Sequence, residues 1–303
     1  MLLTATQRNV AVRFYAKPGV GTRLGIPALF LTLSPPYGTP EFAEAVAAFQ
    51  AAHGLTVDGK AGPAETVPVM RRIFMESAKR HDVLVLRGKE FVIPGVRIVN
   101  PWSPEGYDFS RYPNHTHGMM VRDAPRVVLL HDSITRTADA CFNVLLTRKD
   151  AKGKNMGLGT ALKLSPSGTL YQCVPDLAMV TWHAGGGWNA VGVGFDVIAL
   201  LDVSLAPNSP LRRPAVQWSP KAGYLDYTPA QIAVLPAAVR GVCQVIGAPF
   251  DCAMEKGHPA YRGGDEKLDL NPLNMRGVVG HGQISASRWD GNLALAYAFG
   301  ANP

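Results

Sequence analysis

From about residue 126 onward, short apolar runs alternate with longer segments whose apolar positions recur at helical spacing. The runs typical of buried strands lie at residues 126–131, 191–201 and 277–281. The helical segments lie at residues 137–146, 228–247 and 291–299. Residues 160–174 have the pattern of a hairpin that turns at Ser165–Gly168. Strands that alternate with helices predict an α/β domain in which helices flank a central mixed β-sheet.

The longest of these helical segments carries its own start and stop signals. Thr228 is suited to the N-cap and Pro229 to the first turn, while Gly247 is suited to the stop after the last turn. Pro236 lies inside the segment, so we expect a kink there or a later start of the helix.

The N-terminal part of the chain has a different pattern. Residues 40–52 have apolar positions at helical spacing, and Asp58-Gly59 is a turn signal. A second helical run follows at residues 67–78. A unit this small buries little surface by itself, so we expect it to pack on the strand-like residues 27–33.

Residues 79–124 are less regular. Residues 83–100 have the pattern of two short strands, and residues 101–118 are rich in proline, glycine and polar residues. His115 and His117 could chelate a metal from one face of a strand, but no carboxylate or cysteine stands at a matching spacing, which favours an exposed loop. The predicted domains are therefore residues 1–78, a linker and irregular segment at 79–124, and residues 125–303.

The composition describes a globular protein that favours an anionic partner. Apolar residues make up 47% of the chain, charged residues 17%, and the formal net charge is +7. Nucleic acid, anionic lipid and the bacterial wall are all negatively charged partners of this kind. The sequence has no run of five or more Lys and Arg residues, so no basic tail for nucleic acid is expected.

The N-terminus lacks the pattern of a secretory signal, and the longest apolar stretch, residues 191–206, is interrupted by Asp196 and Asp202. We therefore expect synthesis in the cytoplasm and no membrane insertion.

Four cysteines lie far apart and form no C-x-x-C pair, which favours buried free thiols. Pairing of Cys243 with Cys252 stays open at this stage.

Two histidines and one aspartate carry the strongest candidate chemistry. His131 and His281 each end a predicted buried strand, and Asp290 follows in a turn before the last helix. Side chains at strand ends meet at one edge of an α/β sheet. Two imidazoles and a carboxylate form a three-ligand zinc set whose fourth position is open to water, as a hydrolytic centre requires.

The order of the motifs around these residues resembles one family, the zinc-dependent N-acetylmuramoyl-L-alanine amidases that share the peptidoglycan-recognition-protein fold. The matching segments, in chain order, are VVLLHDS at 127–133, SPSGTLYQCV at 165–174, TWHAGGGWN at 181–189, VGVGFDV at 191–197, YTPAQIAVL at 227–235 and VVGHGQIS with RWDGN at 278–292. Each string alone is weak, but six in the correct order make a specific resemblance. It implies hydrolysis of the amide bond between N-acetylmuramic acid and L-alanine.

The resemblance also implies roles for individual residues. His131, His281 and Asp290 would hold zinc. Asp196, where the family has a catalytic glutamate, would act as general base for the attacking water and then as acid for the leaving amine. Arg288, where the family commonly has lysine, would stabilise the oxyanion.

The segment TWHAGGGWN supplies two further candidates. His183 and Trp182 precede a glycine-rich loop that is flexible enough to approach a sugar–peptide ligand. Both are predicted to bind substrate, with His183 donating a hydrogen bond in the cleft. Thr160 stands where some relatives have tyrosine, so no phenol is expected in the mechanism.

Residues 45–66 resemble a three-helix peptidoglycan-binding domain through their Phe-Gln, Gly-Leu, Asp-Gly and Gly-Pro landmarks. The partner implied is bacterial peptidoglycan, and the positive charge agrees with an anionic wall.

A non-catalytic peptidoglycan receptor on the same fold is the alternative function. Such receptors typically lack a zinc ligand, whereas all three ligand positions are filled in this sequence. A phage lysis enzyme and a toxin injected into rival bacteria both fit, with action at the periplasm or cell wall after release or export by another system.

Overall fold

The computed structural model describes residues 2–16, 36–62, 65–67, 69–70, 82–112, 114–119, 125–216, 219–262, 265–286 and 288–300. The predicted strand-like segment at 27–33 and nearly all of the predicted helix at 67–78 lie outside the described residues. The chain divides into two compact units, one of residues 1–80 with 87–89 and 117–119, and one of the remaining residues.

The N-terminal unit has a core of its own. Helices α1 (Ala5–Ala16) and α2 (Pro40–Ala52) pack together, and Thr39 caps α2 by accepting a hydrogen bond from the backbone amide of Phe42. Buried residues of this unit include Tyr15, Phe42, Val46 and Met70.

Gln50 holds the predicted Asp58-Gly59 turn in this unit. Its side-chain oxygen accepts from the backbone amides of Asp58 and Gly59, and its side-chain nitrogen donates to Asp58, to the Lys60 carbonyl and to Thr66. The Phe-Gln landmark therefore has a structural reason, because this buried amide is fully used in closing the turn.

The second unit is built on a mixed sheet. Its strands and those preceding it are β1 (Leu84–Leu86), β2 (Lys89–Phe91), β3 (Ile98–Val99), β4 (Thr116–Met119), β5 (Val127–Ile134), β6 (Leu162–Leu164), β7 (Leu170–Gln172), β8 (Met179–Thr181), β9 (Gly192–Ala199), β10 (Arg212–Arg213), β11 (Tyr224–Leu225), β12 (Met254–Glu255), β13 (His258–Pro259) and β14 (Gly277–Gly280). Among the described residues, six strands form one sheet in the order β14-β5-β9-β6-β7-β3. The pair β6–β7 is antiparallel and the other neighbours are parallel, which confirms the predicted mixed sheet.

In the part of this unit that the structure describes, the α-helices are α3 (Ala138–Thr147), α4 (Pro229–Ile246), α5 (His281–Ile284) and α6 (Asn292–Ala298). Thr228 and Gln231 form a capping box at the start of α4, and Gly247 ends it in the left-handed conformation, both as expected. The helix runs through Pro236 and keeps its predicted start.

Helix α4 is long and apolar enough to cross a membrane by length and composition. Its apolar residues Leu235, Val239 and Val242 are fully buried, and the helix packs against β5 and α6. Its hydrophobic face is therefore part of the core of the domain.

Two expectations about the chain are settled by burial and bonding. All four cysteines are free and buried, so Cys243 and Cys252 do not pair. The expectation of an exposed loop around His115 is wrong, because this residue is only 3% exposed and its Nδ1 lies 2.7 Å from the Leu158 carbonyl oxygen. The side chain of His117 lies outside the described residues.

Candidate metal centre

Strand register brings the two histidines together. Strands β14 and β5 run parallel, with Gly280 paired to Leu130. His281 follows Gly280 and His131 follows Leu130, so both imidazoles stand at the same level of neighbouring strands. His281 begins the short helix α5, and Asp290 returns to the same point from the loop before α6.

The three side chains converge on one point. Oδ2 of Asp290 lies 3.2 Å from Nδ1 of His131 and 2.8 Å from Nδ1 of His281. One donor atom from each residue lies within 4.8 Å of the others. Zinc bonds of about 2.0–2.2 Å in a tetrahedron separate neighbouring donors by roughly 3.4 Å. The observed spacing and the chemistry of the donors therefore fit a single zinc ion.

The electrostatics of His281 and Asp290 favour metal binding. Burial lowers the pKa of His281, which keeps the imidazole neutral near pH 7. Burial by itself raises the pKa of Asp290. The hydrogen bonds from His131 and His281 lower it, and the net pKa lies well below its ordinary value. A neutral imidazole and an ionised carboxylate are the protonation states that a metal ligand needs.

The loop that carries Asp290 is tied back to β5. The carboxylate of Asp132, next to His131 in the chain, accepts hydrogen bonds from the Gly291 amide (2.6 Å) and from the hydroxyl of Tyr227. Gly291 has a φ of +88°, and a side chain there would meet the Leu130 carbonyl. Sequence analysis missed Asp132, although an acidic residue inside a buried strand is itself a signal of a specific partner.

Asp196 lies beside His131 and is bound to a buried lysine. The two residues are register partners on β9 and β5, and Lys163 on β6 is the partner of Asp196 on the other side. Oδ2 of Asp196 accepts from Nζ of Lys163 (3.0 Å) and from the hydroxyl of Thr160 (2.7 Å). Burial raises the pKa of Asp196, but the Lys163 ammonium, His131 and the hydrogen bond from Thr160 together more than offset that rise, so the net pKa is lowered. The carboxylate is therefore ionised at neutral pH.

Lys163 was also missed by sequence analysis. Its side chain is 0% exposed, and besides Asp196 and Thr160 it contacts Sγ of Cys141 at 3.4 Å. A lysine within a hairpin strand carries no obvious signal in the sequence. Its partner is known only once β6 is placed next to β9.

His183, which precedes the glycine-rich loop, reaches the centre. Its Nδ1 lies 3.0 Å from Nε2 of His131, so the ring contacts a candidate ligand. Burial, together with the nearby His131, lowers the pKa of His183 to about 3, which keeps it neutral. The Asn189 side chain fixes the loop by accepting from the backbone amides of His183 and Ala184. Trp182, the preceding residue, is 45% exposed.

Arg288 is exposed in the loop that carries Asp290. Its positive charge is close enough to contribute to the lowered pKa of His281. The structure thus places a cation at the rim of the cluster formed by the two histidines and Asp290.

Comparison of the sequence with protein families gives two matches. Residues 121–291 match the model of the family described as N-acetylmuramoyl-L-alanine amidase, which is more than half of the chain. Residues 36–66 match a putative peptidoglycan binding domain. No curated protein matches the chain.

Several solved structures are similar to parts of the chain at low identity. The endolysin N-acetylmuramoyl-L-alanine amidase LysCS from Clostridium intestinale URNW is 16% identical, with 50% of this chain and 76% of that chain covered and a TM-score of 0.30. Drosophila PGRP-LB is 14% identical, with coverage of 66% and 90% and a TM-score of 0.34. The Staphylococcus aureus hydrolase AmiA is 10% identical, with coverage of 70% and 85% and a TM-score of 0.34.

Proposed function

Because this chain belongs to the N-acetylmuramoyl-L-alanine amidase family, we propose that it hydrolyses the amide between N-acetylmuramic acid and L-alanine in peptidoglycan, with zinc held by His131, His281 and Asp290. The observation that carries the proposal is that Nδ1 of His131 and Nδ1 of His281 both lie against the same carboxylate oxygen, Oδ2 of Asp290. Bacterial peptidoglycan is the partner, since the chain combines the amidase family with a peptidoglycan binding domain.

The metal would supply the electrophilic part of the reaction: zinc lowers the pKa of a water molecule to about 7 and polarises the carbonyl under attack. His131 and His281 would bind it as neutral imidazoles, and Asp290 would offset part of its charge. Both imidazoles are buried, while the Asp290 side chain is 17% exposed.

Asp196 is our candidate for proton transfer. Among the described residues its hydrogen bonds all end on Oδ2, which leaves Oδ1 to accept the proton of the attacking water. Lys163 and Thr160 hold the carboxylate in place and ionised. The proton on Oδ1 would then pass to the nitrogen of the departing L-alanine.

Arg288 is proposed to stabilise the negative charge that develops on the amide oxygen. We expect Arg288→Gln to lower kcat by about 10²-fold, because a contact to the transition state is lost. The zinc content should be unchanged, because all three proposed zinc ligands remain. Arg288→Lys keeps a cation at the rim and is expected to retain most of the activity. Steady-state kinetics with metal analysis check this, and a Gln variant with the parent's kcat would remove Arg288 from the mechanism.

Trp182 and the N-terminal module are proposed to bind the wall. The exposed indole of Trp182, one residue before His183, offers a flat apolar face to a sugar ring. We assign residues 1–78 to the wall-binding module, 79–124 to a linker segment and 125–303 to the amidase domain. A module that holds the enzyme on the wall raises the local concentration of substrate.

The setting we propose is attack on the bacterial wall, either by a phage lysin or by a toxin delivered into rival bacteria by another system. Both uses need a wall-binding module, whereas an enzyme that recycles small wall fragments gains little from one.

Mass spectrometry of digested peptidoglycan tests the proposed reaction. We expect free stem peptides with an L-alanine N-terminus, together with glycan that has lost its peptides, and we expect neither after zinc is removed with a chelator. Cleavage within the stem peptide would show a different hydrolase. Zinc binding and wall binding without any released peptide would instead identify a non-catalytic receptor.

A further inference from the structure

The two ring nitrogens of His131 have different partners. Nδ1 faces Asp290 at 3.2 Å, on the side of the candidate metal site. Nε2 faces Nδ1 of His183 at 3.0 Å, on the opposite side of the ring. The rings of His131 and His183 meet nearly edge to face, at an angle of 86°. His183 therefore lies against the side of the His131 ring that faces away from Asp290.

Ligation constrains where the proton of His131 can be. A neutral imidazole carries one proton, so a ring that binds a metal through Nδ1 carries that proton on Nε2. The Nε2–H group then donates to Nδ1 of His183, which must be unprotonated to accept it. Ligand histidines in metalloproteins usually donate their second N–H to an acceptor of this kind.

We propose that His183 is a positioning residue that accepts the Nε2–H of His131 and so fixes its tautomer and ring orientation for metal binding through Nδ1. This inference rests on the proposed zinc site. It differs from the predicted role of His183 as a donor to substrate, because Nδ1 of His183 already lies against a candidate ligand.

The strand next to His131 is shaped to admit the His183 ring. A Cβ atom at Gly194 on β9 would lie 2.7 Å from Cγ and 2.9 Å from Nδ1 of His183. Contacts shorter than 3.0 Å force a shift, so only glycine at this position leaves room for the ring where it now lies. Asn189 fixes the backbone of His183 by accepting a hydrogen bond from its amide.

Three substitutions at position 183 separate this role from others. An Asn side chain places Oδ1 where His has Nδ1, so His183→Asn keeps the acceptor. His183→Gln places its polar group further out, and His183→Leu has no acceptor. We expect zinc affinity to fall about 10- to 100-fold in the Leu and Gln variants and to stay within a few-fold of the parent in the Asn variant.

The measurement is competition for zinc between the full-length protein and a chromophoric chelator, which needs no substrate. Gly194→Ala is the second route, since it displaces the ring while His183 itself remains, and we expect it to resemble His183→Leu. His115→Leu is the matched control, because it removes another buried histidine with a paired Nδ1 and is expected to leave zinc affinity unchanged.

The outcomes distinguish this inference from the proposed function. If the parent binds zinc and His183→Leu binds it equally well, the positioning role is wrong while the zinc site stands. The same conclusion follows if the Asn variant is as weak as the Leu variant. Unchanged zinc affinity with a raised KM would return His183 to substrate binding. A parent that binds no zinc overturns the proposed function itself.

Discussion

Asp290→Ala is expected to abolish both zinc binding and amide cleavage. Oδ2 of Asp290 is the atom on which His131 and His281 converge, so its removal takes away one ligand and the group that aligns the other two. The loss of zinc affinity should exceed the roughly 10- to 100-fold effect of an outer partner such as His183. Metal analysis after gel filtration and assay on purified peptidoglycan measure the two losses.

Asp269→Ala is the matched control for this prediction, since Asp269 is an exposed carboxylate outside the site. The Asp290 variant should keep the fold, because the Gly291 amide remains bonded to Asp132 and the Gly282 amide to the backbone carbonyl of residue 290. A folded Asp290→Ala protein with full zinc content and full activity would show that the ligand assignment is wrong.

Lys163→Met and Asp196→Asn are each expected to destabilise the amidase domain by about 3–5 kcal/mol, because either change leaves an unpaired charge in a buried site. Lys163 is 0% exposed and the Asp196 side chain 7% exposed, so water cannot replace the lost partner. Urea unfolding of the parent and the variants in excess chelator measures the change without a contribution from zinc binding to the folded state.

The double variant Lys163→Met/Asp196→Asn separates stability from catalysis. Both charges are gone, so most of the lost stability should return, as a double-mutant cycle would show. If Asp196 transfers the proton, the double variant should be folded, bind zinc and remain inactive. A rate within a few-fold of the parent's would exclude Asp196 as the proton-transfer group and leave the pair a purely structural role.

The contrast between Asp196 and Lys163 shows what a sequence pattern can predict. Asp196 stands in a recognisable motif, so its presence at the centre could be predicted. Lys163 is 33 residues away and became visible only because β6 lies next to β9. A parallel sheet brings together strands that are not adjacent in the chain, and apolar periodicity does not specify which strands become neighbours.

His183 illustrates the same limit for the role of a residue. Its glycine-rich loop predicted a functional histidine, yet the nature of its contact depended on the ring of a residue 52 positions away. The space above Gly194 decides where that ring lies, and the sequence offers no measure of such space.

The sequence by itself determined strands β5, β9 and β14, the β6–β7 hairpin, helices α3, α4 and α6, and the types and order of the candidate ligands. These follow from local periodicity, from caps and turns within a few residues, and from motifs read in chain order. Only the tertiary structure decided that Asp196 is ion-paired, that His183 contacts His131 and that Asp132 holds the ligand loop. Each of these depends on the register between distant strands, because a shift of one residue turns a side chain to the other face of the sheet.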